Sequence, residues 1–453
     1  MTHLKFTKLI CTIGPSCDKP SKLKKLIKEG MDVARLNLSH GDYHYHREVI
    51  KRIRKLSHRV AILLDTKGPE IRTDVLEEKL HLKKGEIIIL TNKKTELARK
   101  AIHQTYKGLW KDVSKGNTIL ISDGMVQLRV VSKSKGEIKC KVLSNCVLGS
   151  KKSLVVPHKK VNLPDLTKKD YKDIEFGLKS NVDFIALSFV TKHTAVLKVK
   201  RMIKKAGKNI SIISKIEHPS AIENIDKIIK VSEGIMIARG DLGLNISVEN
   251  VPMIQKRIIK KVNKVGKPVI VATQMLESMT TNLKPTRAEA SDVANAILDG
   301  ADAVMLSGET AGGDHPIEAV RTMVRIIKDV DVERPEKKMH IHEKYDIPET
   351  IAINVNQIAR FLDVKAIITP THSGFTPNLI AKYRPKIPII ALSTDERVSR
   401  KLDIVKGVFQ FHSFKKKKRE RFIDSLKMAI REGVVKREDL IVMTFNHKLT
   451  RHL

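Results

Sequence analysis

The sequence predicts an α/β chain: a (β/α)8 TIM barrel with an inserted β-rich lid domain and a C-terminal open α/β domain. Three observations carry this expectation. Short apolar runs alternate with helical spacing about eight times, the number of strands that closes such a barrel. The runs surface into polar residues at their C-terminal ends, the rim on which barrels of this kind place their chemistry. Between residues 74 and 158 the rhythm changes to short alternating segments separated by Gly, Asn, Asp and Ser, the pattern of antiparallel strands and turns.

Residues 8–13 read as the first strand, ended by Gly14-Pro15, and residues 22–28 as a helix stopped by Gly30. The second strand starts at Val33 and surfaces into Arg35, Asn37, Ser39 and His40. A basic helix over 45–56 leads to a third strand at 60–64, which ends in Asp65, Thr66 and the run to Arg72. The β-rich unit follows, with strands expected at 87–90, 118–121, 126–131 and 138–143; inserted at this point, it sits over the rim and can act as a lid. The barrel resumes at 184–189. Residues 210–213 are apolar and β-branched enough for a strand buried on both faces, with Lys215 and Glu217 where it should emerge. Ala221, Ile222, Ile225, Ile228 and Ile229 then recur at helical spacing, Gly234 closes that segment, and a strand at 235–238 precedes Asp241. Runs at 269–274 and 303–309 complete the count. The expected domains are 1–73 with 159–334 for the barrel, 74–158 for the lid and 335–453 for the last unit. That unit begins with a polar linker over 335–345, then a helix from Ile347 and strands at 366–369 and 387–392; its basic run 415–421 reads as an exposed loop and helix start.

At 453 residues and 41% hydrophobic content the chain can fill large cores. No apolar run approaches the roughly 20 residues of a membrane span, and the N-terminal segment has no leader-like apolar stretch. Cys11, Cys17, Cys140 and Cys146 form no CxxC pair and are too few for a disulfide scaffold, so a reducing cytoplasm is expected. The formal charge is +36, from 86 Lys+Arg against 50 Asp+Glu. Such a field attracts nucleic acid, anionic membranes or phosphorylated metabolites. The lysines lie on nearly every polar helical face, however, and only six tyrosines and one tryptophan could stack on bases. The charge is therefore assigned to a solvated surface, with neither nucleic acid nor membrane as partner.

Glu217 and Asp241, one from each of two adjacent strand ends, can hold a divalent cation through oxygen ligands while Lys215 supplies a movable point charge. The alternative is an ion pair on an ordinary α/β surface. Asn37 and Ser39 can likewise be helix caps, and Asp65 can open a turn before Gly68-Pro69.

With these residues assembled, the sequence closely resembles the pyruvate kinases. The matching pieces are CTIGPS at Cys11, VARLNLSHG at Val33, LDTKGPEIRT at Leu64, SKIEHPSAIENI at Ser214, IARGDLG at Ile237, ATQMLESM at Ala272, PTRAEASDVANAILDGADAVMLSGETA at Pro285 and YRPKIPIIALSTD at Tyr383. The resemblance implies phosphoryl transfer from phosphoenolpyruvate to ADP, giving pyruvate and ATP, usually in a homotetramer. It also implies Mg2+ (or Mn2+) on Glu217 and Asp241, and K+ on Asn37, Ser39, Asp65 and the backbone carbonyl of Thr66. Lys215 would stabilise the phosphoryl group in flight, and Arg35 would offer a fork to the substrate phosphate. The peptide N–H groups of Gly240 and Asp241 would receive the substrate carboxylate, and Thr273 would orient protonation of the enolate. Asn37, His40, Arg72 and Lys159 match nucleotide-contacting positions. Glu70 is an acid where potassium-independent relatives carry a lysine, so activation by potassium is expected.

Two departures stand out. Lys160 replaces the family's usual glycine, so that it could substitute for Lys159, and Ser122-Asp123-Gly124 replaces Asp-Asp-Gly in the lid. In the last domain Thr371, Ser373 and Thr376 resemble an effector-phosphate loop, the alternative being a plain helix cap at Thr371 or Ser373. Residues 441–453 contain no glycine to wrap a second phosphate, so a monophosphorylated effector is expected rather than a sugar bisphosphate. A metal-dependent lyase or aldolase on a similar barrel would share the paired carboxylates, but needs neither a nucleotide cover nor a potassium site. A binding protein that keeps the fold for nucleic acid would not need Lys215, Glu217, Asp241 and Thr273 together.

Overall fold

The computed structural model describes residues 4–93, 101–159, 161–333, 346–412 and 418–444. Eight parallel strands close into a barrel: β1 (Lys8–Thr12), β2 (Val33–Asn37), β3 (Ala61–Asp65), β4 (Phe184–Leu187), β5 (Ser211–Ile216), β6 (Gly234–Ala238), β7 (Val269–Ala272) and β8 (Ala303–Leu306). Each pairs with its neighbours in sequence, and β8 returns to β1 through Lys8 to Ala303. Because side chains alternate along a strand, one set faces the barrel axis and the other the helices. Ile10, Val33, Leu63, Phe184, Ala186, Ile213, Met236, Ile270, Ala303 and Met305 belong to the axial set and fill the interior. The other set, including Leu9, Leu36, Ile62, Leu64, Ile185, Ile212 and Ile237, packs with the apolar faces of the surrounding helices.

This alternation positions the site. Two residues beyond Val33, Leu63, Ala186 and Ile213 on the axial face stand Arg35, Asp65, Ser188 and Lys215, so a polar layer caps the apolar plug at the carboxyl rim. Strand β5 runs to Ile216, three residues further than its apolar run suggested, and Lys215 therefore lies inside the strand rather than beyond it. The helical spacing over 221–229 is realised as two helices, Pro219–Glu223 and Ile225–Val231, divided at Asn224. Strand β7 stops at Ala272, because Thr273 and Gln274 adopt left-handed backbone (φ 67° and 53°).

Among the described residues the lid forms a seven-stranded, mostly antiparallel sheet centred on Thr118–Ile121, Val126–Ser134 and Glu137–Val142, with its own apolar core. Leu80–Leu82 and Cys146–Leu148 make a separate pair. In the last domain β9 (Ala366–Pro370), β10 (Ile389–Ser393), β11 (Val408–His412) and β12 (Ile441–Met443) form a parallel sheet in the order β11-β10-β9-β12. Its helix Lys418–Arg431 begins within the basic run, whose residues 415–417 lie outside the described residues. The linker at 335–345, Lys160 and residues 445–453 lie outside them too. Among the described residues no helix is long and apolar enough to cross a membrane.

At the opposite, amino-terminal face of the barrel, Asp32, Asp183 and Asp302 each immediately precede a strand. Each carboxylate accepts a backbone N–H of the neighbouring strand: Leu9 at 2.6 Å, Ile62 at 2.8 Å and Val269 at 3.0 Å. Each carboxylate supplies an acceptor to a buried backbone N–H near the start of a strand and, being largely removed from water, must itself be neutralised. Lys5 neutralises Asp32; Arg54 and Arg400 neutralise Asp183 at 2.5 and 2.7 Å; Arg384 grips Asp302 through both nitrogens at 2.5 and 2.8 Å. Arg384 and Arg400 come from the last domain, which is thereby locked to the barrel floor. Asp183→Ala, which removes the buried partner of Arg400 and of Arg54 and leaves Arg400 only the more exposed Glu396, should lower unfolding free energy by about 3 kcal/mol. Chemical denaturation monitored by circular dichroism checks this.

Candidate active site

Asp65 lies at the centre of the carboxyl rim and is fully buried. Its Oδ2 accepts from Arg35 Nε at 2.8 Å and its Oδ1 from Lys215 Nζ at 3.0 Å. Burial alone would raise this carboxyl, but the charges of Lys215 and Arg35 outweigh it and hold Asp65 below the ordinary carboxylate range. Lys215 Nζ also donates to Ser188 Oγ at 2.8 Å and stands 3.0 Å from Glu217 Oε1. Burial disfavours its charge, yet Asp65 and Glu217 reverse that and keep the ammonium protonated. Arg35 Nη1 reaches Thr12 Oγ1 at 2.8 Å, so its fork is fixed from two sides.

Glu217 is buried and its Oε2 accepts the Phe189 N–H at 2.6 Å. Burial pushes its carboxyl up to about 7; Lys215 offsets this in part, and Asp241 adds to it. Oε1, although beside Lys215, makes no hydrogen bond. Asp241 is raised as well, by burial and by Glu70, Asp123 and Asp65, with Lys215 opposing. A buried oxygen without a hydrogen bond and two carboxyls raised by burial and by neighbouring carboxylates fit a divalent cation, which would offset that repulsion. No cluster of three or more His, Cys, Asp or Glu among the described residues could hold a metal ion. Two carboxylates suit Mg2+, which keeps waters and takes substrate oxygens.

The segment after Asp65 is braced from outside the barrel. Gly68 N–H donates to Asp170 Oδ1 at 2.8 Å, and Asp170 also caps its own helix, Lys168–Ser180, through Thr167. Asp65 therefore opens no turn; its carboxylate points to the axis. Thr66 offers its carbonyl to Ser188 Oγ at 2.7 Å. Asn37 Oδ1 accepts the Ser39 N–H at 3.1 Å, while the helix Tyr43–Leu56 is capped by Asp42, which answers the cap alternative for Asn37 and Ser39. His40 is exposed and its carbonyl is held by His46 Nε2 at 2.8 Å. Glu70 is not an uncompensated charge: Arg72 Nε donates to it at 2.5 Å. Arg72 thus adds a cation to the rim beside Arg35 and Lys215.

On the other side, Thr273 Oγ1 accepts the Gly240 N–H at 2.8 Å and donates to the Ala272 carbonyl at 2.6 Å. The Gly240 N–H, expected to receive the substrate carboxylate, is thus held by Thr273. The left-handed pair Thr273-Gln274 is clamped by Arg239, whose Nη2 reaches their carbonyls at 2.8 and 3.0 Å. Ser188, Phe189, Asp170 and Arg239 were missed in the sequence; Ser188 and Phe189 are marked only by their place after β4 and Arg239 by its place after β6, whereas Thr167 and Asp170 carry the spacing of a capping box at the start of Lys168–Ser180. The lid tip, Ser122-Asp123-Gly124, has three consecutive left-handed residues and lies against Leu244 on the helix Arg239–Asn245. Lys159 is half-buried on the lid's return to the barrel. In the last domain Thr371 Oγ1 accepts the Gly374 N–H at 3.0 Å and Ser373 Oγ the Phe375 N–H at 3.4 Å, a self-capped turn ahead of Thr376.

A parallel barrel with a β lid over its carboxyl rim, and buried cations interleaved with carboxylates there, defines a (β/α)8 enzyme built for anionic substrates. The pyruvate kinase barrel-domain model matches residues 4–320, and the model of the family's alpha/beta domain matches residues 349–452. Pyruvate kinases of Bacillus licheniformis and Geobacillus stearothermophilus are each 47% identical to the chain over 97% of its length and 77% of theirs. A crystal structure of a pyruvate kinase from Cryptosporidium parvum superposes with a TM-score of 0.91 at 39% identity, covering 98% of this chain and 94% of that one. The chain belongs to the pyruvate kinase family.

Gly68 (φ 77°) shows how tightly the rim is set: an added Cβ would lie 2.7 Å from Ser188 Cβ and 2.8 Å from the Phe189 ring. Gly68→Ala should cost about 1–3 kcal/mol of stability and displace Ser188 from Lys215. A thermal melt paired with steady-state kinetics measures both effects.

Proposed function

We infer that the chain transfers the phosphoryl group of phosphoenolpyruvate to ADP, giving pyruvate and ATP. The observation that carries this is the cluster Arg35, Asp65, Lys215 and Glu217, buried at the carboxyl rim of the barrel. Phosphoryl transfer asks for charge stabilisation without covalent help from the protein, and preorganised cations in a dry site supply it. Arg35 binds the substrate phosphate, and Lys215 follows the group in flight because its ammonium is a compact charge on a flexible stem. Glu217 and Asp241 hold Mg2+ or Mn2+, which when bound neutralises phosphoryl and carboxylate oxygens.

Asn37, Ser39, Asp65 and the Thr66 carbonyl supply oxygen donors for K+. The Asp241 N–H, with the Gly240 N–H if Thr273 releases it, takes the substrate carboxylate, and Thr273 orients the proton delivered to the enolate. Asn37, His40, Arg72 and Lys159 face the nucleotide, and the lid excludes water when it closes. The same reading includes barrel, lid and last domain as the three units, homotetramer assembly, and a monophosphate at Thr371, Ser373 and Thr376.

A coupled assay with phosphoenolpyruvate, ADP and Mg2+ should show ATP formation that falls sharply when K+ is exchanged for tetramethylammonium. Full activity without K+ would contradict the cation assignment, and aldehyde release without ATP would replace the activity with an aldol cleavage. Lys215→Met should keep the fold and lower turnover roughly 100-fold or more, the scale of one lost transition-state charge contact. Near-normal turnover in that folded variant would remove Lys215 from its role.

A further inference from the structure

We propose that Asn245 is a positioning residue that sets the separation of the two metal-holding carboxylates, a role that rests on the assignment of Glu217 and Asp241 above. Asn245 ends the short helix Arg239–Asn245 and is 5% exposed. Its side-chain amide nitrogen donates to the Glu217 carbonyl at 3.0 Å and to the Asp241 carbonyl at 2.9 Å. An amide nitrogen carries two hydrogens, and here each is spent on a different strand end. The orientation is unambiguous, since the flipped amide would set its oxygen against two carbonyl oxygens.

Glu217 stands one residue past the end of β5, where its carbonyl has left the ladder, and Asp241 stands in the first turn after β6. Without a bridge, the two backbones that carry the carboxylates would be joined at this level only through the ends of their strands. Asn245 closes that gap through the two backbone carbonyls. Its own carbonyl receives the His158 N–H in a long 3.4 Å contact, and the preceding Leu244 lies under the lid tip. The residue that spaces the carboxylates is therefore also where the lid's return meets the barrel. Aspartate has the same shape but no donors, and its charge would face two carbonyls, so it reverses the interaction instead of merely deleting it.

The test uses the full chain and Mn2+ alone, with binding read by electron paramagnetic resonance of free Mn2+ in the absence of substrates. Glu217→Gln and Asp241→Asn should abolish the site. Asn245→Ala should weaken Mn2+ binding about tenfold, the usual effect of removing a group that orients metal ligands, and Asn245→Asp should weaken it more. Asn245→Ser, which keeps one donor, should fall between wild type and Asn245→Ala, and it serves as the test variant if Asn245→Ala melts early. In kinetics the metal activation constant should rise while turnover and the phosphoenolpyruvate KM at saturating metal stay near wild type. Wild-type Mn2+ affinity in Asn245→Ala or Asn245→Ser, with Glu217→Gln inactive in binding, overturns the role of Asn245. Wild-type affinity in Glu217→Gln overturns the metal assignment instead. Losses of turnover and metal affinity that simply track the melting temperature reduce Asn245 to a structural residue.

Discussion

Two cations can stand in the barrel interior because one buried carboxylate touches both. Asp65 lies between Arg35 and Lys215, and without it two positive charges would face each other in a medium that screens poorly. The arrangement is mutual: Asp65 stays ionised because of the cations, and Lys215 stays protonated because of Asp65 and Glu217. Other features of the rim serve this contact. Ser188 supports Lys215, Thr12 supports Arg35, and Asp170 holds the loop that follows Asp65.

Counted together, Arg35 and Lys215 face Asp65, Glu217 and Asp241, so the ionised cluster is short of positive charge. Asp65, which touches both cations, stays ionised, while Glu217 and Asp241 bind their protons more tightly, Glu217 up to about 7 through burial and its neighbours. A divalent cation between Glu217 and Asp241 removes that imbalance and prepares the rim for a multiply charged phosphate ester. The apolar plug beneath, from Ile10 through Met305, keeps water out from below, and the lid tip at Asp123 brings one more carboxylate toward Asp241.

The barrel has charged layers at both ends, with different work. At the carboxyl rim charges are arranged for ligands; at the floor Asp32, Asp183 and Asp302 close off strand-end N–H groups and bind cations. Because two of those cations, Arg400 and Arg384, belong to the last domain, that domain's seat is an electrostatic lock on the strand ends. Asp183 also holds Ile62, three residues before Asp65, which places the domain contact and the central carboxylate on one strand.

The barrel's strand count, the lid's position after the third strand and the rim residues Arg35, Asp65, Lys215, Glu217 and Asp241 were legible in the sequence. Short apolar runs buried on both faces and polar strand ends are local properties, written wherever a strand must be apolar and then emerge. The length of β5, the break at Asn224, the strands β11 and β12 and the left-handed turn at Thr273 were not, since each depends on contacts made elsewhere in the chain. Nor was the pairing of Glu70 with Arg72, which changes how that acid bears on the cation site. The aspartates before β2, β4 and β8 were visible as letters, but nothing local says that Asp183 will meet an arginine 217 positions away. The sequence by itself determined which residue types stand at each strand end, and so the chemistry available. Only the tertiary structure decided which of them touch, because a buried charge is tolerable only beside its partner, and partners here come from strands and domains far apart in the chain.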